Sequence, residues 1–239
     1  MMFEAYVTNL GMYPERGVEV GEYLKFPTTI EEVQALFSRI GIDGKRYEEY
    51  FITDYQSDVL GLYDHLGEYE SLDELNYLAH LLEEMTPDEL EKLEAIMDAG
   101  EYTGSVKDLI NLTQNLDCFE FYPGVKDEEE LGRMYILEFE ALTVPEHLID
   151  YIDYEAYGRD VRINEGGHFA PGGYVFDNQS KFIEHYALQP HVLYQDRKRC
   201  AEIRQRPDCQ YQGGRQRGGR VLDESGNASV LRPCGLYRL

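Results

Sequence analysis

Carboxylates dominate the reactive side chains of this 239-residue chain, with 46 Asp and Glu against 22 Lys and Arg, six His and four Cys. Pairs such as Glu83 with Glu84, or Asp150 with Asp153, are the residue types that general acid-base catalysis or calcium binding requires. No D-x-D-x-D-G loop accompanies them, and so many acids produce close pairs by chance, so they are read as solvated. The histidines, His65, His80, His147, His168, His185 and His191, form no HExxH or other compact ligand spacing. Cys118, Cys200, Cys209 and Cys234 match no CxxC pair; reduced thiols are the favoured reading, and a zinc set completed by His191 the weaker one. "GIDGKRYE" lacks the Gly-Lys-Ser/Thr ending of a phosphate loop and reads as a turn, and the glycines of "INEGGHFAPGGY" lie outside the strand-to-helix context of a dinucleotide fingerprint. The 20 Tyr and 10 Phe read as half-buried core and rim positions. The expectation is a protein with no catalytic residues, no metal and no cofactor.

The charge itself is the stronger signal. With 43% apolar residues the chain is folded, yet its formal net charge is −24. Such a field repels nucleic acid and membrane surfaces, attracts basic partners and destabilises the compact state by self-repulsion. Residues 1–186 carry 41 acids and 12 bases, a net of −29, whereas 187–239 carry 5 acids and 10 bases, a net of +5. The acidic body is therefore followed by a basic tail, whose "RPDCQYQGGRQRGGR" is rich in Gly, Gln and Arg and is expected to pack poorly. No apolar run of 18 residues occurs, and "MMFEAYVTNLG" has neither a basic n-region nor an apolar h-region, so a cytoplasmic location without membrane contact is expected.

The elements that must position these carboxylates are legible from periodicity. Strands are predicted at "FEAYVTNL", "GVEVGEYLKF" and "EYFITDY", with a helix at "TIEEVQALFSRIG" started by a Thr29/Glu32 capping box and stopped at Gly41. Two more helices are predicted, "SLDELNYLAHLLEEM" capped by Ser71 and Glu74, and "TPDELEKLEAIMDAG" capped by Thr86, Pro87 and Glu89. Their apolar stripes are Leu72, Leu75, Leu78, Leu82 and Leu90, Leu93, Ile96, Met97. Then come helix "SVKDLINLTQNL", strand "CFEFY", helices "DEEELGRMYILEF" and "PEHLIDYIDYEAYG", and the hairpin-like "GGHFAPGGYVFD". The fold class is α+β, an elongated three-domain protein with three modest cores in series. Its divisions are an N-terminal α+β domain at 1–61, an acidic helical domain at 62–103, an α+β domain at 104–186 and the basic tail at 187–239.

From Asp64 to Glu101, 13 acids meet a single cation, Lys92. Ordinary surface helices interleave both signs to gain i,i+4 pairs and relieve repulsion. At the helical rise, an acid every three residues gives roughly one carboxylate per 4.4 Å, and two helices side by side give about one per 2.2 Å. Duplex DNA carries one phosphate charge per about 1.7 Å of axis, so the stretch has the charge density to copy a phosphate backbone.

The segments "AYVTNLGMYPERGVEVGEYLKFPTTIEEVQALFSRIGI", "EEYFITDYQS", "LDELNYLAHLLEEM", "IMDAGEYTGSVKDLINLTQNLDCFEFYPGV" and "YIDYEAYGRDV" occur in one colinear order from about residue 3 to about residue 186. Together they resemble the ArdA antirestriction proteins of conjugative elements. The resemblance implies an elongated, DNA-like homodimer that enters the DNA groove of type I restriction-modification enzymes, against their specificity and methyltransferase subunits. The family's antirestriction motif falls on "AIMDAGEYTGSVKDLINL", which places the implied dimer contact at Ser105, Leu109, Leu112, Phe119, Phe121 and Tyr122. The basic tail departs from the family pattern.

This reading implies competitive binding without catalysis. The carboxylates expected to meet the Lys and Arg that otherwise hold DNA are Glu68, Glu70, Asp73, Glu83, Glu84, Asp88, Glu91, Glu94, Asp98 and Glu101, extended by Asp108, Asp117, Glu120, Asp127, Glu128, Glu129 and Glu130. Two rivals are an acidic adaptor for another basic DNA-binding protein and a carboxylate-dependent enzyme. A mimic must share the DNA site, an adaptor need not, and an enzyme requires acids that converge in a pocket rather than spread along a ridge.

Overall fold

The computed structural model describes residues 2–187. The expectations for the basic tail beyond Ala187, and for Cys200, Cys209, Cys234 and His191 as ligands, lie outside the described residues. Within them, helix and sheet are mixed as the sequence predicts, in two antiparallel three-stranded sheets.

The first sheet has the order β2-β1-β3, formed by β1 (Phe3–Asn9), β2 (Gly21–Phe26) and β3 (Tyr50–Ser57). Alternation sets its inner face, with Phe3, Ala5 and Val7 of β1 buried in the main core. The outer face is polar: the Tyr23 hydroxyl donates to Asp54 at 2.6 Å and accepts from Gln56 at 2.7 Å. The predicted strand at 17–26 forms only in its second half. Short helix α1 (Tyr13–Arg16) and a 3-10 turn (Gly17–Val20) occupy its approach, and Gly17 sits at φ 64°, a left-handed conformation incompatible with a strand. Helix α2 (Ile30–Arg39) carries the predicted capping box, with Thr29 accepting from Glu32 N and Glu32 accepting from Thr29 N. In the "GIDGKRYE" turn, Asp43 accepts from the backbone N–H groups of Lys45, Arg46 and Tyr47, which lowers its pKa to about 2.

Helices α3 (Leu72–Glu83) and α4 (Pro87–Ala99) come next. Thr86 and Glu89 form the predicted box at α4, a device that contributes about 1 kcal/mol, and Gly100 ends the helix at φ 79°. Ser71 occupies the N-cap of α3 but its hydroxyl caps nothing; Glu74, expected to complete a box there, accepts from the Tyr186 hydroxyl instead. Helix α5 (Val106–Thr113) is capped by Ser105. Strand β4 (Phe119–Pro123) leads to α6 (Glu128–Arg133), which continues as a π-turn (Met134–Glu138). The helical reading of 145–158 divides into a 3-10 turn (Glu146–Tyr151) and the start of α7 (Tyr154–Glu165), because Ile152 is extended and Asp153 opens the new helix by accepting from Ala156 N. The predicted hairpin is β5 (His168–Ala170) with β6 (Gly173–Asp177), and β6 also pairs with β4, giving a second sheet of order β4-β6-β5.

Three cores in series are expected from the sequence; among the described residues most of the buried apolar side chains form one connected cluster running from Phe3 through α2 to α5 to Val175. Helix α3 has eight buried residues, packs on α5 and is tied to the loop between β2 and α2 by Asn76, which bonds the backbone N and O of Thr28 at 2.6 and 3.2 Å. Helix α4 lies instead against the second sheet through Leu93, Ile96 and Met97, each contributing about 1.5–3 kcal/mol by burial. A satellite cluster of Val125, Leu131, Met134 and Tyr174 sits beneath α6.

Candidate functional site

Helix α4 packs against the second sheet, and one of its sides is lined by acids, of which Asp88, Glu91 and Asp98 are exposed and Glu94 is half-buried. Asp88, Glu91, Glu94 and Asp98 recur every three or four residues, so successive carboxylates rise by about 4.5–6 Å along one side of the helix. One DNA strand spaces its phosphates at about 3.4 Å of axis. The two-row spacing expected from α3 and α4 side by side is not found, because α3 is consumed by the core and keeps its acids at its ends. Asp73 and Glu74 are half-buried at one end; Glu83 and Glu84 are exposed at the other. Glu68 and Glu70 lie in the loop before α3, and Glu101 follows the Gly100 that ends α4.

Lys92 does not relieve this charge. Lys92 is half-buried, and that burial lowers its pKa against the pull of Glu120 and Asp117. The carboxylates of Asp64, Glu68, Asp88, Glu91 and Glu101 meet neither hydrogen-bond donor nor cation among the described residues. Others are engaged: Glu70 accepts from Gly67 N at 3.0 Å, Glu94 from Leu60 N at 2.8 Å, and Asp98 meets His168 at 2.8 Å. Asp108 is tied to Ser105 at 2.7 Å, and Glu120 accepts from Asn178 at 3.3 Å.

The acids of α6 are held differently. Asp127 caps the helix, Glu128 pairs with Arg162 at 3.2 Å, Glu129 with Arg133 at 2.8 Å, and Glu130 accepts from Lys126 N at 2.8 Å. What brings α6 and α7 close enough for the Glu128–Arg162 pair is a crossing of two glycines that periodicity and motif spacing do not mark. A Cβ on Gly132 would stand 2.0 Å from Tyr154 O, and one on Gly158 1.8 Å from Glu128 O. Next to this crossing, Glu165 accepts from the hydroxyls of both Tyr135 and Tyr174, and burial is the main cause of the raised pKa of each phenol.

The residues expected at the dimer contact fall in three settings. Leu109, Leu112 and Phe119 are at most 2% exposed within the core, so they are unavailable to a second copy. Ser105 caps α5, and Phe121 is half-buried against the same core. Tyr122 is half-buried among Tyr135, Phe139, Tyr174 and Phe176. Exposed apolar side chains lie farther along, at Leu137, Phe139, Leu142, Leu148, Tyr151 and Ile163.

A cleft of about 260 Å³ opens between the 3-10 turn Leu62–His65, α4 and the β5–β6 turn, with Asp64, Glu91, Glu94 and Asp98 on its wall and Leu60, Ala95 and Met97 among its apolar lining. Among the described residues no group of three or more His, Cys, Asp or Glu is placed to hold a metal ion, and no helix is long and apolar enough to cross a membrane. Cys118 is a free, buried thiol whose pKa burial raises.

A family model described as antirestriction protein (ArdA) matches residues 5–176, well over half of the chain. No curated protein matches it.

Proposed function

The chain belongs to the ArdA antirestriction family, and from that premise we propose that its acidic surface imitates the phosphate backbone of duplex DNA and competes for the DNA groove of type I restriction-modification enzymes. The observation that carries this reading is the outer row of α4 and its flanks. Thirteen acids between Asp64 and Glu101 have one cation among them, the half-buried Lys92. Lys and Arg that position DNA by its phosphates in the specificity and methyltransferase subunits meet these carboxylates in its place. No single contact dominates, since an exposed ion pair contributes only about 0–1 kcal/mol, and the interaction is a sum.

The protein acts as a homodimer in this reading. Its contact draws on the exposed apolar side chains between Leu137 and Ile163 rather than on Leu109, Leu112 and Phe119, because an interface core needs apolar area that the protomer has not already buried.

Displacement tests the proposal. A labelled duplex bound to a type I methyltransferase core is titrated with the protein. Full release of the duplex is expected; a stable ternary complex of enzyme, duplex and protein would contradict mimicry and favour an adaptor bound elsewhere.

A further inference from the structure

After β6, residues 178–186 run on without regular secondary structure as a strap. Its start is held beside β4, where Asn178 donates from its backbone N to Cys118 O at 3.0 Å and from its side chain to Asp117 O at 2.8 Å. Its end is held on α3, where Tyr186 lies against Tyr77 and donates its hydroxyl to Glu74 at 3.2 Å.

Between these points the strap is gripped by two buried amides, Asn111 of α5 and Asn115 just beyond it, 1% and 2% exposed. Asn115 accepts from Ile183 N and donates to Ile183 O at 2.9 Å each; Asn111 accepts from Tyr186 N at 2.8 Å and donates to Tyr186 O at 3.0 Å. Each amide nitrogen also donates one turn back, to Lys107 O and Asn111 O, but the backbone N–H groups that the two amide oxygens accept come from the strap. Paired bonds of this kind recognise a main chain whatever side chains it carries, and specificity then falls to the side chains that find pockets. Here those are Phe182 and Tyr186, half-buried against the main core, whereas Ile183, Glu184 and His185 between them are exposed. Phe182 lies flat on Tyr102, with centroids 3.8 Å apart and ring planes within 2°. Tyr102 stands at φ 53° in the turn between α4 and α5, a left-handed conformation uncommon outside glycine that neighbouring contacts must hold.

We propose that Asn111 and Asn115 form a peptide clamp, a site for a non-helical segment with aromatic side chains four residues apart. Its resident occupant is residues 182–186 of this chain, and their seating fixes the α4–α5 turn. The clamp does not depend on the acidic surface imitating DNA.

Hydrogen exchange on the full chain tests the seating. Ile183 and Tyr186 N–H are expected to be protected, and Phe182→Ala to speed exchange about tenfold at both and at residues 101–104, with β1 unchanged. Absence of protection in the unaltered chain, or a variant that loosens the strap without residues 101–104, overturns the proposal. A peptide supplied in trans tests the clamp. The full chain carrying Phe182→Ala and Tyr186→Ala is expected to bind a labelled peptide copying residues 178–187 at least about tenfold tighter than the unaltered chain, whose own tethered strap fills the site. The same peptide N-methylated at the Ile183 and Tyr186 nitrogens, or with both aromatic residues replaced by Ala, is expected not to bind. Equal binding by the two chains, or retained binding of either altered peptide, overturns the proposal.

Discussion

Two helical regions of this protein are rich in acids and engage them to different extents. Along α6 the carboxylates are internal fittings: Asp127 caps, Glu128 and Glu129 each hold an arginine, and Glu130 takes a backbone N–H. Along α4 the capping is done by Glu89, Glu94 and Asp98 are held by Leu60 N and His168, and Asp88 and Glu91 meet no donor among the described residues. Charge count alone does not tell a recognition surface from a structural one. What distinguishes them is whether local cations and backbone donors have already claimed the oxygens. Packing separates the regions too. Helix α4 rests on a conventional apolar stripe that tolerates any solvent-side residue, whereas α6 and α7 meet backbone to backbone at Gly132 and Gly158.

The largest expected effect comes from neutralising the α4 side. Replacing Glu68, Glu83, Glu84, Asp88, Glu91 and Glu101 with their amides removes about 3 kcal/mol of summed contacts, roughly a hundredfold loss of inhibition in a restriction assay, while urea unfolding shows stability unchanged or improved by reduced repulsion. A folded sixfold variant with full inhibition would erase the contrast between the two regions. Next in size is the crossing. Gly158→Ala drives a Cβ into Glu128 O and is expected to destabilise by about 2–3 kcal/mol, despite alanine's better helix propensity. A neutral result by thermal or urea unfolding would mean that α6 and α7 separate without cost.

Smaller still is the Glu128–Arg162 pair, whose side chains are each about a third exposed. Arg162→Gln is expected to lower stability by about 1 kcal/mol and to change inhibition by less than about twofold, the reverse of the α4 pattern. A larger loss of inhibition than of stability would move Glu128 into the recognition surface. Smallest of all is a single change on the outer row. Glu91→Gln should shift inhibition by less than about 0.5 kcal/mol. Its abolition in a folded protein would instead point to a carboxylate with a catalytic or ligand role.

These contrasts are only partly legible in the sequence. The caps at Thr29 and Thr86 are readable because they depend on residues three apart, and β1, α4 and the β5–β6 hairpin arise from periodicity over a few residues. Ser71 misleads because a capping signature states only what a side chain can do, and Glu74 finds a partner 112 residues away in Tyr186. The second sheet joins β4 to β6 across more than fifty residues, a pairing that no local pattern encodes. Likewise, nothing local marks Gly132 and Gly158 as one contact, and the burial of Leu109, Leu112 and Phe119 depends on which face of α5 and β4 the core claims. At the proposed recognition surface, the number of acids and the scarcity of cations are visible in the chain. The half-burial of Lys92 and the prior engagement of Glu128 and Glu129 require the fold.

The salt dependence of binding addresses mimicry most directly. Affinity for a type I methyltransferase core, measured by calorimetry or anisotropy between 0.05 and 1 M salt, is predicted to fall steeply and continuously as the Debye length shrinks from more than about 10 Å to about 3 Å, with a shallower fall for the sixfold amide variant. An affinity that does not change with salt, or an equal slope for both proteins, would contradict the claim that the outer acids of α4 and its flanks stand in for phosphates.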